Sequence, residues 1–263
     1  MLLTKDEISK IADMLYEAEV NRIPIDPITD TYPSITIDDA YKIQLVNIEK
    51  RIRKGERVVG KKIGLTSKAM QKLFNVYEPD YGHLTNTMYV SDGSSISLSS
   101  LIQPKVEAEI AFILKEDLKG PGLTVIDVLR ATEGVVPALE IIDSRIKNWR
   151  IKIQDTIADN ASAARFVLGN KMTKLEDLDL RLVGMVFEVN NEVVATAAGA
   201  SVMGNPVLAV LWLANKLAEY GTYLRAGEVI LSGSLVSAVD VRPGDFVRAT
   251  FDRLGSVSVK FVQ

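Results

Sequence analysis

The stretch Pro104-Lys105-Val106-Glu107-Ala108-Glu109-Ile110-Ala111-Phe112 sets two glutamates two residues apart inside an otherwise apolar run. Read as a β-strand, it puts Glu107 and Glu109 side by side on one face, with Val106, Ala108 and Ile110 on the other. The next apolar run, Gly134-Val135-Val136-Pro137-Ala138-Leu139-Glu140-Ile141-Ile142, carries a third glutamate, Glu140. A strand with one wet face also produces a Glu-x-Glu pattern, and for that motif alone the solvated reading stands beside the functional one. Glu140 shifts the balance. Anions on strands that apolar neighbours would bury need a compensating cation, and a divalent ion held by carboxylate oxygens supplies it.

The rest of the composition narrows the choice of ion. The chain of 263 residues has no cysteine and a single histidine, His83, so thiolate catalysis, disulfides and multi-histidine metal sites are excluded. Oxygen ligands alone point to Mg²⁺ or Mn²⁺. Hydrophobic residues at 47% and charged residues at 25% are ordinary for a globular protein, and a net charge of −3 offers no field for nucleic acid. No apolar run is long enough to span a bilayer, and the N-terminus lacks a basic segment followed by an apolar one, so a cytoplasmic location is expected.

Along the chain, Thr4 and Glu7 form a capping box ahead of Ile8, Ile11, Ala12, Leu15 and Ala18 at helical spacing, predicting a helix to about Val20. After a loop with Pro24, Pro27 and Pro33, Thr36 can cap a second helix, whose last turn carries Arg51, Arg53 and Lys54. From Val58 the texture changes to short apolar runs punctuated by Gly, Asp and Ser. Strands are expected at 58–63, 95–98, 105–114, 134–142, 164–168, 228–232, 245–251 and 257–262, with helices after Thr124 and from Asn205-Pro206 to Gly221. The expected organisation is a helical N-terminal region, 1–57, ahead of a β-rich metal-binding body, 58–263, in a mixed α/β class.

Four segments in this order carry a resemblance: Gly60-Lys61-Lys62-Ile63-Gly64-Leu65-Thr66-Ser67, Glu78-Pro79-Asp80-Tyr81-Gly82, the Glu107 and Glu109 strand, and Asp143-Ser144-Arg145 leading to Ala158-Asp159-Asn160-Ala161-Ser162. Together with Ile230-Leu231-Ser232-Gly233-Ser234 and Leu254-Gly255-Ser256-Val257-Ser258-Val259, they resemble the hydratase and decarboxylase branch of the fumarylacetoacetate hydrolase superfamily over nearly the whole chain. The resemblance implies a β-roll body with a small helical N-terminal region and a homo-oligomer. It also implies Mg²⁺ or Mn²⁺ on residues matching Glu107, Glu109 and Glu140, and a 2-oxo or 2-enol acid as substrate in catabolism of aromatic compounds by meta-cleavage.

Within the branch the similarity is strongest to hydratases of 2-hydroxypenta-2,4-dienoate (2-oxopent-4-enoate), with 4-oxalocrotonate decarboxylases as near relatives. Asp80 is acidic where decarboxylases usually carry an apolar residue, and Asn205 stands where they often carry histidine. Ala163-Ala164-Arg165-Phe166 looks more like a decarboxylase. A catalytically silent subunit bound to a neighbouring pathway enzyme is the alternative of another class.

The chemistry so implied needs proton carriers beside the metal ligands, and Lys62, Asp80 and Ser162 are the candidates: Asp80 as general base, Lys62 as its charge partner or a proton donor. By local pattern alone Lys62 is a surface lysine, Asp80 a turn former and Ser162 a local cap. Leu65, Thr66, Ser232, Gly233 and Ser234 are expected to bind substrate, since small-residue turns can present N–H and hydroxyl groups to a carboxylate. His83 reads as a loop residue. The basic stretch from Arg145 to Lys152 reads either as an entrance that draws in an anionic acid or as a solvated helix.

Overall fold

Helix caps written in the sequence close where expected. The computed structural model describes residues 3–73, 75–176 and 178–263. In α1 (Lys5–Asn21) Thr4 N donates to Glu7 Oε2 at 2.8 Å and Glu7 N to Thr4 Oγ1 at 3.3 Å. The buried residues of α1 are Ile8, Ile11, Ala12, Leu15 and Ala18, the set its spacing selects. After the short α2 (Ile28–Thr31), Thr36 and Asp39 form a second capping box on α3 (Ile37–Arg53).

The body holds β1 (Val58–Gly64), α4 (Lys68–Leu73), β2 (Asp80–Thr85), β3 (Tyr89–Ser91), β4 (Ser95–Ser97), β5 (Lys105–Leu114), α5 (Val125–Ala131) and β6 (Thr132–Ile142). It continues through α6 (Ile153–Ala158), β7 (Ala163–Leu168), β8 (Gly184–Val189), β9 (Glu192–Ala198), α7 (Pro206–Glu219), β10 (Val229–Ser234), β11 (Val239–Asp240), β12 (Phe246–Phe251) and β13 (Gly255–Val262). One mixed sheet runs β2-β1-β10-β5-β6-β7-β3, with β11 pairing the start of β5; a second runs β4-β13-β12-β8-β9.

Register fixes which side chains share a face. Glu107 lies directly opposite Glu140, Ala111 opposite both Val136 and Leu231, and Glu140 opposite Phe166. Lys62 lies opposite Leu231 and Gly82, and Gly64 opposite Asp80. Paired residues face the same way. One face of the large sheet therefore carries Lys62, Asp80, Glu107, Glu109 and Glu140 at one end, and at the other an apolar cluster that includes Leu84, Ala111, Val136, Ala138, Phe166 and Leu231. Val106, Ala108, Ile110 and Phe112 point to the opposite face and join the main core with the helices and the second sheet.

The sheet is strongly curled. Lys62 on β1 and Glu140 on β6 are three strand spacings apart and four residues out of line in register, about 19 Å between Cα atoms on a flat sheet, more than their two side chains span, yet Lys62 Nζ lies 3.2 Å from Glu140 Oε2. The face that carries them is thus the inside of a roll, as the resemblance implies.

Two differences from the sequence reading have local causes. The Pro79-Asp80-Tyr81-Gly82 segment, read as a turn, opens a fully buried strand, and His83 lies on that strand rather than in a loop. Turn-forming residues serve here for close approach: a Cβ at Gly82 would collide with Asn160 O. The β8–β9 hairpin also went unread. Its turn residues Asn190 and Asn191 have φ of 56° and 64°, the left-handed pair a two-residue hairpin requires.

The N-terminal helices and the body share the main core, although the boundary at residue 57 falls between α3 and β1. Gln44 on α3 donates through Nε2 to Tyr81 O at 3.1 Å and Ile157 O at 2.8 Å. Its Oε1 must therefore accept from His83 Nδ1, 2.8 Å away, which fixes the histidine tautomer. Burial, then the charge of Lys61, pushes the His83 imidazolium down to about 3, so the ring is neutral and structural. Among the described residues no helix is long and apolar enough to cross a membrane.

Candidate metal centre and active site

Antiparallel pairing of β5 with β6 brings Glu140 beside Glu107, and alternation along β5 adds Glu109 to the same face. One oxygen from each of the three carboxyl groups lies within 4.8 Å of the others. Glu109 and Glu140 are fully buried. Glu109 Oε2 accepts from Gly233 N at 2.7 Å. Glu109 Oε1 and both oxygens of Glu140 are buried without a hydrogen-bond partner, although Glu140 forms its ion pair with Lys62.

Burial, then the charge of Glu140, pushes the Glu107 carboxyl up to about 7, and burial raises Glu109 and Glu140 as well. Three mutually repelling carboxyl groups, two of them with orphaned oxygens, in a site lacking imidazole and thiol, fit a hard divalent cation. Glu107, Glu109 and Glu140 are the residues that can hold it.

Lys62 and Asp80 stand beside this trio. Lys62 Nζ donates to Ala161 O at 2.9 Å besides pairing with Glu140. Burial opposes its charge, but Glu140, Glu107 and Asp80 outweigh that and raise its pKa, so it is an ammonium. Asp80 is 2% exposed with Oδ1 unpartnered, and burial raises its carboxyl although Lys62 pulls the other way. A Cβ on Gly64 would collide with Asp80 Oδ1, so glycine there lets the carboxyl lie flat against β1.

Ser162 follows Asn160 and Ala161 in a turn whose three residues have φ of 54°, 48° and 57°. Its Oγ is buried without a partner. Lys62, Asp80, Glu107 and Ser162 border one cavity of about 710 Å³, whereas Glu109 and Glu140 lie behind it.

The expected substrate-binding residues divide. Leu65, Thr66 and Ser234 line the cavity. Gly233 supports it indirectly, its N–H held by Glu109 and its φ of 112° packed against Thr66. Ser232 does not reach the cavity: its hydroxyl donates to Ile110 O at 2.7 Å, so its part is structural.

The stretch from Arg145 to Lys152 is neither a solvated helix nor a simple basic entrance. Arg145 is buried against Asp159, whereas Trp149 and Ile151 form cavity wall, with Trp149 Nε1 donating to Gln103 O at 3.1 Å. Leu235 and Val236 add further apolar wall. Arg145, Asp159 and Asn160, which entered the sequence reading only as parts of longer motifs, form a buried hydrogen-bonded network behind the Ser162 turn. A charged pair at the end of apolar runs was the available signal.

Comparison with known proteins agrees with this geometry. A profile of the fumarylacetoacetate (FAA) hydrolase C-terminal family matches residues 57–262. The chain is 48% identical over 259 residues to 2-keto-4-pentenoate hydratase of Paraburkholderia xenovorans (strain LB400), covering 98% of this chain and 96% of the relative. It is 47% identical over 261 residues to 2-hydroxyhexa-2,4-dienoate hydratase of Comamonas testosteroni, covering 98% and 99%. The solved structure of 4-oxalocrotonate decarboxylase from Pseudomonas putida G7, complexed with magnesium and adipate, matches with a TM-score of 0.96 at 42% identity, over 99% of each chain. The chain belongs to the fumarylacetoacetate hydrolase family, in the branch that holds these hydratases and decarboxylases.

Proposed function

We propose that the protein is a Mg²⁺- or Mn²⁺-dependent hydratase that converts 2-hydroxypenta-2,4-dienoate and water into 4-hydroxy-2-oxopentanoate. The observation that carries this reading is the trio Glu107, Glu109 and Glu140, with orphaned buried oxygens, next to an ammonium and a carboxyl group at a cavity large enough for a small acid. A divalent ion bound there supplies Lewis-acid stabilisation of negative charge on the C2 oxygen of the substrate.

The protein's own groups handle protons. The dienol loses its O–H proton and gains one at C5, giving a 2-oxo-3-enoate; water then adds its oxygen at C4 while C3 takes a proton. Asp80, with its carboxyl raised by burial although Lys62 pulls the other way, is suited to accept and return a proton. Lys62 balances the anionic charge and can donate, and Ser162 offers a free hydroxyl to the same space. Leu65, Thr66 and Ser234 hold the acid from the β1 and β10 sides, while Trp149, Ile151 and Leu235 exclude water from the hydrocarbon end.

Decarboxylation of a 2-oxo diacid is the second reading, favoured by Lys105. It lines the cavity and can receive a second carboxylate, although Asp240 holds it at 2.6 Å. Incubating the purified protein with Mn²⁺ and either 2-hydroxypenta-2,4-dienoate or 4-oxalocrotonate decides. Loss of diene absorbance with formation of the hydroxy-oxo acid supports the hydratase; release of carbon dioxide from the diacid alone supports the decarboxylase. Turnover of neither, except with a partner enzyme added, supports a silent subunit. Assembly into a homo-oligomer in the cytoplasm belongs to this reading, and light scattering of the purified protein checks the assembly.

A further inference from the structure

The turn that presents Ser162 is an improbable piece of backbone. Asn160, Ala161 and Ser162 have φ of 54°, 48° and 57° in succession. Left-handed residues other than glycine are unfavourable singly and rarer still in series. Something must hold them. The two ends of the turn are Asp159 and Ala163, and one buried guanidinium spans both. Arg145 Nη2 donates to Asp159 O, and Nη1 donates to Ala163 O at 3.2 Å and Asp143 O at 2.6 Å. Arg145 Nε donates to Asp159 Oδ1, and Arg145 N to Asp159 Oδ2 at 2.9 Å. No single ammonium can copy that fork.

The turn so clamped holds Lys62 directly and the strand that carries Asp80 through its backbone. Ala161 O takes the Lys62 ammonium at 2.9 Å. The Asn160 side chain pairs with the backbone of β2 like a missing strand, its Oδ1 accepting from His83 N at 2.8 Å and its Nδ2 donating to His83 O at 2.9 Å, three residues beyond Asp80. Ser162 Oγ borders the cavity. Arg145 itself does not border it.

We infer that Arg145 is a positioning residue: gripping Asp159 and Ala163, it holds the left-handed turn that sets Lys62, Asp80 and Ser162 in register with one another. The inference rests on the reading of Lys62 and Asp80 as proton carriers. It is tested by Arg145→Lys, which keeps the charge and loses the fork, and by Arg145→Ala with added guanidinium ion. A small void of about 20 Å³ bounded by Arg145, Asp159, Asn160 and Glu19 adjoins the space that Arg145→Ala would leave for that ion.

Under saturating Mn²⁺, Arg145→Lys should lower kcat by about 10²-fold, the scale of a misplacement near 1 Å, with KM and Mn²⁺ affinity unchanged. Guanidinium should restore part of the kcat of Arg145→Ala, provided that variant folds. A wild-type kcat in Arg145→Lys, or a loss of Mn²⁺ affinity in step with kcat, overturns the inference. A crystal structure of Arg145→Lys reads the clamp without turnover. A turn that leaves the left-handed region and frees Lys62 from Ala161 sustains it, and an unaltered turn overturns it. If the wild type transforms neither acid, the functional reading fails while this structure still decides the clamp.

Discussion

The two ends of the roll interior are built on the same strands, in the same register, and solve opposite problems. At one end Leu84, Ala111, Val136, Ala138, Phe166 and Leu231 close over each other with almost no exposure. At the other, Glu107, Glu109, Glu140, Asp80 and Lys62 crowd four acids around one cation, and several of their oxygens have no partner. The apolar end makes the fold stable without a ligand. The polar end spends some of that stability to keep a site ready. A single strand, β5, carries both, turning from Glu107 and Glu109 to Ala111 within one alternation.

The comparison breaks most sharply on Glu109→Gln. This change keeps an acceptor for Gly233 N but removes one anion from the trio. Catalysis should fall by about 10³-fold, the scale of losing a preorganised charge partner, together with Mn²⁺ affinity measured by calorimetry. The metal-free protein should melt no lower than wild type. A lower melting point would mean that the trio stabilises the fold rather than straining it.

Leu84→Ala at the apolar end should do the reverse. A cavity there costs about 2–5 kcal/mol of stability, read by urea unfolding, while Mn²⁺ affinity of the folded protein stays at the wild-type value. Coupling between the two ends would appear as a loss of affinity.

A smaller effect is a pH dependence with a definite sign. The Glu107 carboxyl, raised from 4.5 to about 7, and its raised neighbours keep protons in the metal-free fold that the unfolded chain gives up. Metal-free stability should therefore fall as pH rises from about 4.5 through 7. A divalent ion binds the deprotonated form, so the melting-point gain from Mg²⁺ should be greater at pH 8 than at pH 6. Equal gains would show that the trio is already ionised in the metal-free state.

Much of this was legible in the sequence where the signal is local. Caps at Thr4 and Thr36, the proline start of α7 and the apolar strands β5 and β6 emerge from spacing and side-chain chemistry alone. Alternation also put Glu107 and Glu109 on one face before any coordinates. What spacing could not supply was register: that Glu140 faces Glu107 rather than a neighbouring residue depends on the pairing of β5 with β6.

The resemblance, not periodicity, singled out Lys62 and Asp80, because a lysine at a strand end and an aspartate after proline both look local. Pro79-Asp80-Tyr81-Gly82 shows the limit of turn chemistry. Its glycine admits the Asn160 backbone, a partner 78 residues away in the chain that no local pattern reveals. Ser232 shows the converse. Its sequence neighbourhood looked like an anion turn, yet the bulge between Leu231 and Ser234 sends its hydroxyl to Ile110 O and leaves Ser234 at the cavity.

The most direct measurement is a crystal structure of the protein grown with Mn²⁺, with anomalous scattering recorded at the manganese edge. A single strong peak per chain among the carboxyl oxygens of Glu107, Glu109 and Glu140, absent in Glu109→Gln, is the expected result. No peak there in the wild type, or one held by other residues, would contradict the central claim.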